Sequence, residues 1–325
     1  MEALRIAIVG AGMAGLACAE GLRAGGCAVS LFDKGRAAGG RMSTRRIDAN
    51  GATWSFDHGA QYFTARDPRF ADRVEAWARA GLVARWPDAG EDAWVGTPAM
   101  NAPLRAMADG LDVTFGSRID GIARAGGQWR LQGPGAPSLA FDVAIVAVPA
   151  EQAAPLLAPH DGAMAARAAA TASAPCWTVM AGFDTRVPYD ADILRQLGAI
   201  GWAARNSAKP GRDARECWVI QAAPDWSAVH LEDDAPAITR MLLAALADAI
   251  GARLPDPAVA IAHRWRFARS GAAGDGLPWN PAQRLGGCGD WLLGPRVECA
   301  WLSGTMLADA ILEAAGMATG TRTGP

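Results

Sequence analysis

Lysine is nearly missing from this chain of 325 residues: Lys34 and Lys209 are the only two, and the formal charge is −2. Arginines supply the rest of the positive charge and are interleaved with acids, so there is no broad basic field and nucleic acid is not an expected partner. The six cysteines (Cys18, Cys27, Cys176, Cys217, Cys288 and Cys299) form no CxxC pair, which favours reduced thiols in a cytoplasmic protein. There is no HExxH, and His58, His160, His230 and His263 are dispersed, so no metal is expected. A GxSxG nucleophile elbow and a P-loop are also missing. No apolar run approaches the roughly 20 residues that span a bilayer. The apolar opening from Leu4 to Leu22 lacks a basic leader and is broken by Gly10, Gly12 and Gly15, so it does not read as a signal peptide. A soluble protein with no membrane partner is the expectation, with room for one large domain or two intertwined ones.

What is present begins with Leu4-Arg5-Ile6-Ala7-Ile8-Val9, an apolar run of the kind that forms a buried parallel strand. Gly10-Ala11-Gly12-Met13-Ala14-Gly15 follows as a GxGxxG. In that spacing Gly10 permits the tight turn, Gly12 lets backbone approach a pyrophosphate, and Gly15 lets the next helix pack on the strand. Unpaired N–H groups at Met13 and Ala14 and the positive end of the helix dipole then face the phosphates. The helix is expected from Leu16 to Ala24 and stops at Gly25-Gly26. A second strand, Ala28 to Phe32, closes with Asp33, placed to hold ribose hydroxyls, and Lys34 follows it. Alone, a GxGxxG is weak; here strand, turn, helix, strand and terminal acid occur in order, which predicts a dinucleotide site.

Two further groups of residues bear on which dinucleotide. Gly39-Gly40-Arg41-Met42 can bring backbone and a guanidinium fork against pyrophosphate oxygens, although the run of Arg36, Arg41, Arg45 and Arg46 also reads as a solvated basic loop. Near the C-terminus come Asp290-Trp291 and Val297-Glu298-Cys299-Ala300, where a helix N-terminus can face a group that gains negative charge on reduction. An ordinary apolar helix start is the competing reading there. Together with Asp57-His58-Gly59-Ala60-Gln61-Tyr62-Phe63, these segments resemble the flavin amine oxidase superfamily. The segments Ala204 to Arg212, Pro224 to Ser227 and His263 to Ala268 extend the likeness over almost the whole chain, to its bacterial renalase-like branch. The resemblance implies non-covalent FAD, held by Gly10, Gly12, Met13, Ala14, Gly15, Asp33, Lys34, Gly40, Arg41, Met42, the Gly59 to Tyr62 segment, Ile119 beside the adenine, Pro149, Asp290, Val297, Glu298 and Ala300. Cys299 departs from the glycine that related sequences carry there, and a thiol at that point could crowd or attach to a flavin.

The implied fold class is α/β: a Rossmann-type FAD-binding domain of the glutathione reductase and amine oxidase kind, with an inserted mixed-sheet α+β substrate domain. The first is expected over residues 1–75, 103–150 and 258–325, the second over 76–102 and 151–257. Within the insert, Cys176 to Phe183, Gly198 to Ala204 and Glu216 to Ala223 read as strands, and Ala235 to Ile250 as an amphipathic helix. Residues Ala318 to Pro325 read as disordered.

Flavin carries the redox chemistry, so such a protein has to present a donor carbon and exclude competing reactions. The renalase likeness implies oxidation of 2- or 6-dihydro isomers of NAD(P)H to NAD(P)+, with O2 reduced to H2O2. Aromatisation drives that step, so no general base is required. Gln61, as a handle for a carboxamide, and Tyr62 are the catalytic candidates. His58, Trp94, Trp202, Arg205, Lys209 and Trp265 are candidates for the substrate pocket. Each tryptophan taken singly reads as well as a packing residue, and Arg205 and Lys209 as surface residues. A flavin amine oxidase acting on a small amine shares every cofactor motif, and a flavin-binding sensor without turnover stays open as a third reading.

Overall fold

The computed structural model describes residues 3–274 and 277–318. The expected disorder at the C-terminus falls, from residue 319 on, outside the described residues. The chain divides into two compact units, Met1–Gly40 with Leu104–Ala172 and Ser270–Pro325, and Arg41–Pro103 with Ser173–Arg269. These limits differ from the expected ones in four places. Residues 41–75, 103 and 258–269 belong with the second unit, and 151–172 with the first.

In the first unit a six-stranded sheet has the order Trp279–Asn280, Leu285–Gly287, Val143–Val146, Arg5–Val9, Ala28–Asp33, Asp112–Phe115. All neighbours are parallel except the first pair. The central strands are apolar throughout because they are covered on both faces. The fingerprint helix, Met13–Ala24, begins three residues earlier than its apolar run suggests, straight after the Gly12 N-cap. It packs on Val297–Ala314, and small residues set the closeness of that crossing: a Cβ on Gly304 would lie 2.1 Å from the Ala14 carbonyl oxygen. Helices Ala150–Leu157 and Gly162–Ala169 cover a core that includes Val146, Trp129, Leu156 and Trp291.

The second unit is built on an antiparallel sheet ordered Ile193–Leu197, Ile200–Arg205, Glu216–Ala222, Ala174–Phe183, Pro257–Arg269. Successive side chains point to opposite faces, and both faces are covered. Val179, Ala181, Trp218 and Ile220 meet Ile238, Leu242 and Leu246 of the helix Ala235–Ile250. Met180, Cys217 and Val219 meet Trp54 and Phe56 of a hairpin, Thr44–Ala49 with Ala52–Asp57. Asn50 and Gly51 turn that hairpin, both at positive φ, as a two-residue loop matched to strand twist requires. The hairpin ends at Asp57, so the turn fixes where the following segment, His58 to Phe63, starts.

Candidate functional site

The nucleotide cradle of the first unit is visible in its glycines. A Cβ on Gly10 would sit 2.4 Å from the Ala147 carbonyl oxygen, and one on Gly15 would sit 2.1 Å from the Gly10 carbonyl oxygen, so the protein itself forbids side chains at both. A Cβ on Gly12 would meet nothing within 4 Å. Its lack of a side chain is therefore not needed for packing, and the space in front of the helix N-terminus is kept free for another molecule. That N-terminus has no side-chain cap. Gly40, at φ 50°, returns to within contact of the same turn, its Cβ position 3.4 Å from the Gly12 Cα. Asp33 accepts from the Ala11 and Gly35 N–H groups at 2.7 and 2.6 Å, which fixes the carboxylate while each oxygen keeps a lone pair for a hydroxyl. An open glycine, uncapped N–H groups and an oriented acid together fit the pyrophosphate and ribose of a dinucleotide.

Other expected cofactor residues are placed as follows. Lys34 reaches the Gln152 side chain at 3.0 Å, Ile119 packs at the margin of the core, and Pro149 caps the helix Ala150–Leu157. Val297, Glu298 and Ala300 form the first turn of the last helix, again without a side-chain cap. Glu298 is buried and pairs with Arg296 at 3.4 Å, and Asp290 lies buried in the turn after Gly289. Cys299 is buried, and burial comes first among the causes that raise its thiol pKa, so it is held as the neutral thiol.

In the second unit the loop after Asp57 is governed by a buried ionic cluster. Asp57 and Lys209 are both 0% exposed, with Nζ 3.4 Å from the carboxylate. Arg212 binds the same carboxylate oxygen through Nε at 3.1 Å and Nη2 at 2.5 Å. The Thr44 hydroxyl and the Met100 N–H donate to the other oxygen. Burial pushes the Asp57 carboxyl up, but Lys209, Arg212 and Thr44 outweigh it and hold it below the usual carboxylate range. Burial, with Arg212 adding to it, pushes Lys209 down to about 8 against the pull of Asp57.

Gln61 connects this cluster to the loop. Its Nε2 donates to the Asp57 and Gly59 carbonyls, and its Oε1 accepts from Lys209 at 3.1 Å. The expectation that Gln61 serves as a handle for a substrate carboxamide is corrected: its amide is engaged inside the protein, shaping the loop. Gly59 has no room for a side chain, since a Cβ would lie 2.0 Å from the Arg41 carbonyl oxygen, which also accepts from the Ala60 N–H. Met42 is buried beside Arg41.

The expected pocket residues divide. Arg205 is not at the surface: all three guanidinium nitrogens are engaged, by Glu216, Asp192 and the Tyr189 carbonyl among others. Lys209 is likewise buried within the ionic cluster, so neither meets a phosphate at the surface. His58 is 6% exposed, with its ring 4.9 Å from His263 and 5.0 Å from Trp265, whose indole N–H donates to the His58 carbonyl. Burial, His263 and Arg45 push His58 down to about 4, a neutral imidazole. Trp202, by contrast, is partly exposed and 5.5 Å from Tyr62. Trp86, 1% exposed, joins them, 6.5 Å from Trp202 and 5.4 Å from the Lys209 ammonium. Trp94 is tied to the loop through Phe63, with which it exchanges backbone hydrogen bonds.

Asp57, Arg212 and Trp86 are the residues that sequence reasoning did not single out. The sequence did hold a clue: a buried lysine needs an acid, and Asp57 opens the same segment as Gln61. Among the described residues no group of three or more His, Cys, Asp or Glu could hold a metal, and no helix is long and apolar enough to cross a membrane.

The cradle and the parallel sheet behind it define a dinucleotide-binding protein of the Rossmann type. A model of the NAD(P)-binding Rossmann-like domain matches residues 8–77, and the model described as "Flavin containing amine oxidoreductase" matches residues 78–312. The chain belongs to the flavin containing amine oxidoreductase family, whose members use a flavin cofactor to oxidise small molecules. Solved structures with the same fold include a candidate protoporphyrinogen oxidase from Exiguobacterium sp. 255-15 (14% identity, 96% of this chain and 99% of that one, TM-score 0.73). They also include cyclohexylamine oxidase from Brevibacterium oxydans IH-35A (14%, 97% and 100%, 0.70) and putrescine oxidase bound to putrescine (14%, 96% and 100%, 0.68). At this identity the likeness is one of fold.

Proposed function

We infer that the protein is a cytoplasmic FAD-dependent oxidase of the renalase type, taking a hydride from 2- or 6-dihydro isomers of NAD(P)H. The products are NAD(P)+ and, with O2 and a proton, H2O2. Bound flavin supplies the hydride acceptor and the route of electrons to oxygen. The Gly10 to Gly15 turn, Asp33 and Gly40 fit its pyrophosphate and ribose, and the uncapped first turn at Val297 fits a group that gains negative charge. The buried neutral thiol of Cys299 favours non-covalent attachment, since the thiolate is the nucleophile.

The observation that carries the choice of substrate is the surroundings of Tyr62. The indole nitrogens of Trp86 and Trp202 are both buried and have no acceptor. The Lys209 ammonium stands 5.4 Å from the Trp86 ring centroid. The carboxylate that this loop carries, Asp57, is already held by Lys209, Arg212 and Thr44. The partly exposed rings of Tyr62 and Trp202 beside a buried cation suit a flat uncharged ring, such as a dihydronicotinamide, and repel an ammonium. What this chain contributes to the reaction is orientation and exclusion of water: no proton has to be removed from the carbon that gives up hydride.

Anaerobic mixing of the yellow protein with equilibrated NADH containing the 2- and 6-dihydro isomers tests the reading, followed at the flavin band near about 450 nm. Rapid bleaching by the isomers but not by pure 4-dihydro NADH is expected. Bleaching by a primary or secondary amine, with the isomers inert, would establish an amine oxidase instead.

A further inference from the structure

Two arginines that no motif singled out stack on tryptophans of the second unit. Arg85 and Trp94 face each other across the short ladder Val83–Arg85 with Trp94–Gly96, and the guanidinium carbon stands 4.0 Å from the indole centroid. Arg195 and Trp202 face each other across Ile193–Leu197 with Ile200–Arg205, at 4.8 Å. Both arginines are exposed, and neither has a carboxylate partner among the described residues. Asp88, Glu91 and Asp92 lie on the turn beside them, yet the contacts made there are to carbonyls: Arg85 donates to Glu91 at 3.3 Å and Arg195 to Ala89 at 2.7 Å.

That arrangement is informative because each feature points the same way. Stacking on an indole holds a guanidinium without using up its charge or its remaining N–H groups. Trp94 is linked through Phe63 to the loop that carries Tyr62, and Trp202 touches both Tyr62 and Trp86. The two guanidinium groups therefore converge on one turn, through the Glu91 and Ala89 carbonyls, and Arg195 lies on the indole that touches Tyr62. A ligand that meets both has an anionic part with several oxygens beside a part flat enough to lie against that indole.

We propose that Arg85 and Arg195 form an anion-binding rim that selects substrates by their phosphates, so that the enzyme takes nucleotide forms of its ring substrate in preference to the bare ring. The identity of the ring rests on the dihydronicotinamide reading above; the sign and oxygen content of the rest of the ligand rest on these arginines alone. Arg fork geometry matches phosphate oxygens in pairs, and loss of one charge-assisted contact of this kind weakens binding by roughly 10- to 100-fold. Both residues are specificity determinants, not participants in hydride transfer, so the effect belongs in KM.

The test compares the FAD-loaded wild type with Arg85→Gln, Arg195→Gln and the double variant, using 6-dihydro NADPH and a phosphate-free N-methyl 6-dihydronicotinamide as donors. The preference for the nucleotide over the N-methyl compound, as a ratio of kcat/KM values for flavin bleaching, is expected to fall about tenfold or more in each single variant. That fall should lie in KM and be partly restored by Arg→Lys, and the wild-type preference itself should shrink as salt rises. An unaltered ratio overturns the proposal. Calorimetric titration of the oxidised, FAD-loaded protein with ADP-ribose separates this idea from the oxidase reading, because it needs no turnover. Binding by the wild type that weakens in both variants supports the rim even if the isomers bleach nothing. No binding by the wild type, or equal binding by all, removes the rim even if the isomers are oxidised. Melting temperatures equal to that of the wild type show that folding is not the cause.

Discussion

Asp57 carries more of the second unit than any other ionisable residue, because two cations are neutralised by its one carboxylate away from water. Asp57→Ala leaves both buried cations without a counter-charge and is expected to destabilise by about 3–5 kcal/mol. Lys209→Met removes a charge that burial already disfavours, so its cost should be smaller, and the double variant should lose less than the sum of the two. Urea unfolding of the three variants measures this; additive losses would show that the pair is not coupled. His58 gives a pH signature. Its folded pKa, about 4, lies below the unfolded value of 6.5, so its stability contribution is complete above about 6.5 and is lost as pH falls towards 4. The size is about 3 kcal/mol, and His58→Gln should flatten the decline of the urea midpoint between pH 7 and 4.5.

At the scale of elements, three glycines that look alike in the fingerprint have different work to do. Gly15→Ala puts a Cβ into the Gly10 carbonyl and is expected to lower the melting temperature of apoprotein and FAD-loaded protein alike. Gly12→Ala adds a Cβ that meets no protein atom, so the apoprotein should melt as the wild type does while FAD is lost on gel filtration. Differential scanning fluorimetry with flavin absorbance distinguishes the two; an apo Gly12→Ala that unfolds early would mean the open space is structural. The strand Ala174–Phe183 shows the same close approach. Gly182 lets Trp54 of the hairpin lie flat on it, since a Cβ there would come 2.3 Å from the indole.

At the scale of the whole molecule, attachment of the cofactor decides how stability behaves. Acid precipitation should release all the yellow colour, because Cys299 is a buried neutral thiol; colour retained in the pellet would show a covalent bond. If FAD binds only the folded state, excess FAD at about 100 times Kd should raise stability by about 2.7 kcal/mol.

The local signals were legible wherever a strand, turn and helix follow one another: the run from Arg5 to Asp33 and the helix Ala235–Ile250 stand where the pattern put them. An Asn-Gly turn at 50–51 and the alternation of Val259, Ile261, His263, Trp265 and Phe267 with alanines and arginines are patterns that mark a hairpin and a strand, though neither element was among those expected. The division into units was not legible, because it depends on which sheet a strand joins: 258–269 pairs with Ala174–Phe183, some 80 residues back, and pairing over such distance leaves no local trace. The same limit applies to the site. Residue types announce a nucleotide cradle, because a close backbone approach demands glycine in place. Whether Lys209 and Arg205 are exposed or buried, whether Gln61 is free, and which indoles Arg85 and Arg195 stack on were decided only by the tertiary structure. Burial and hydrogen-bond partnership are properties of residues brought together from distant parts of the chain.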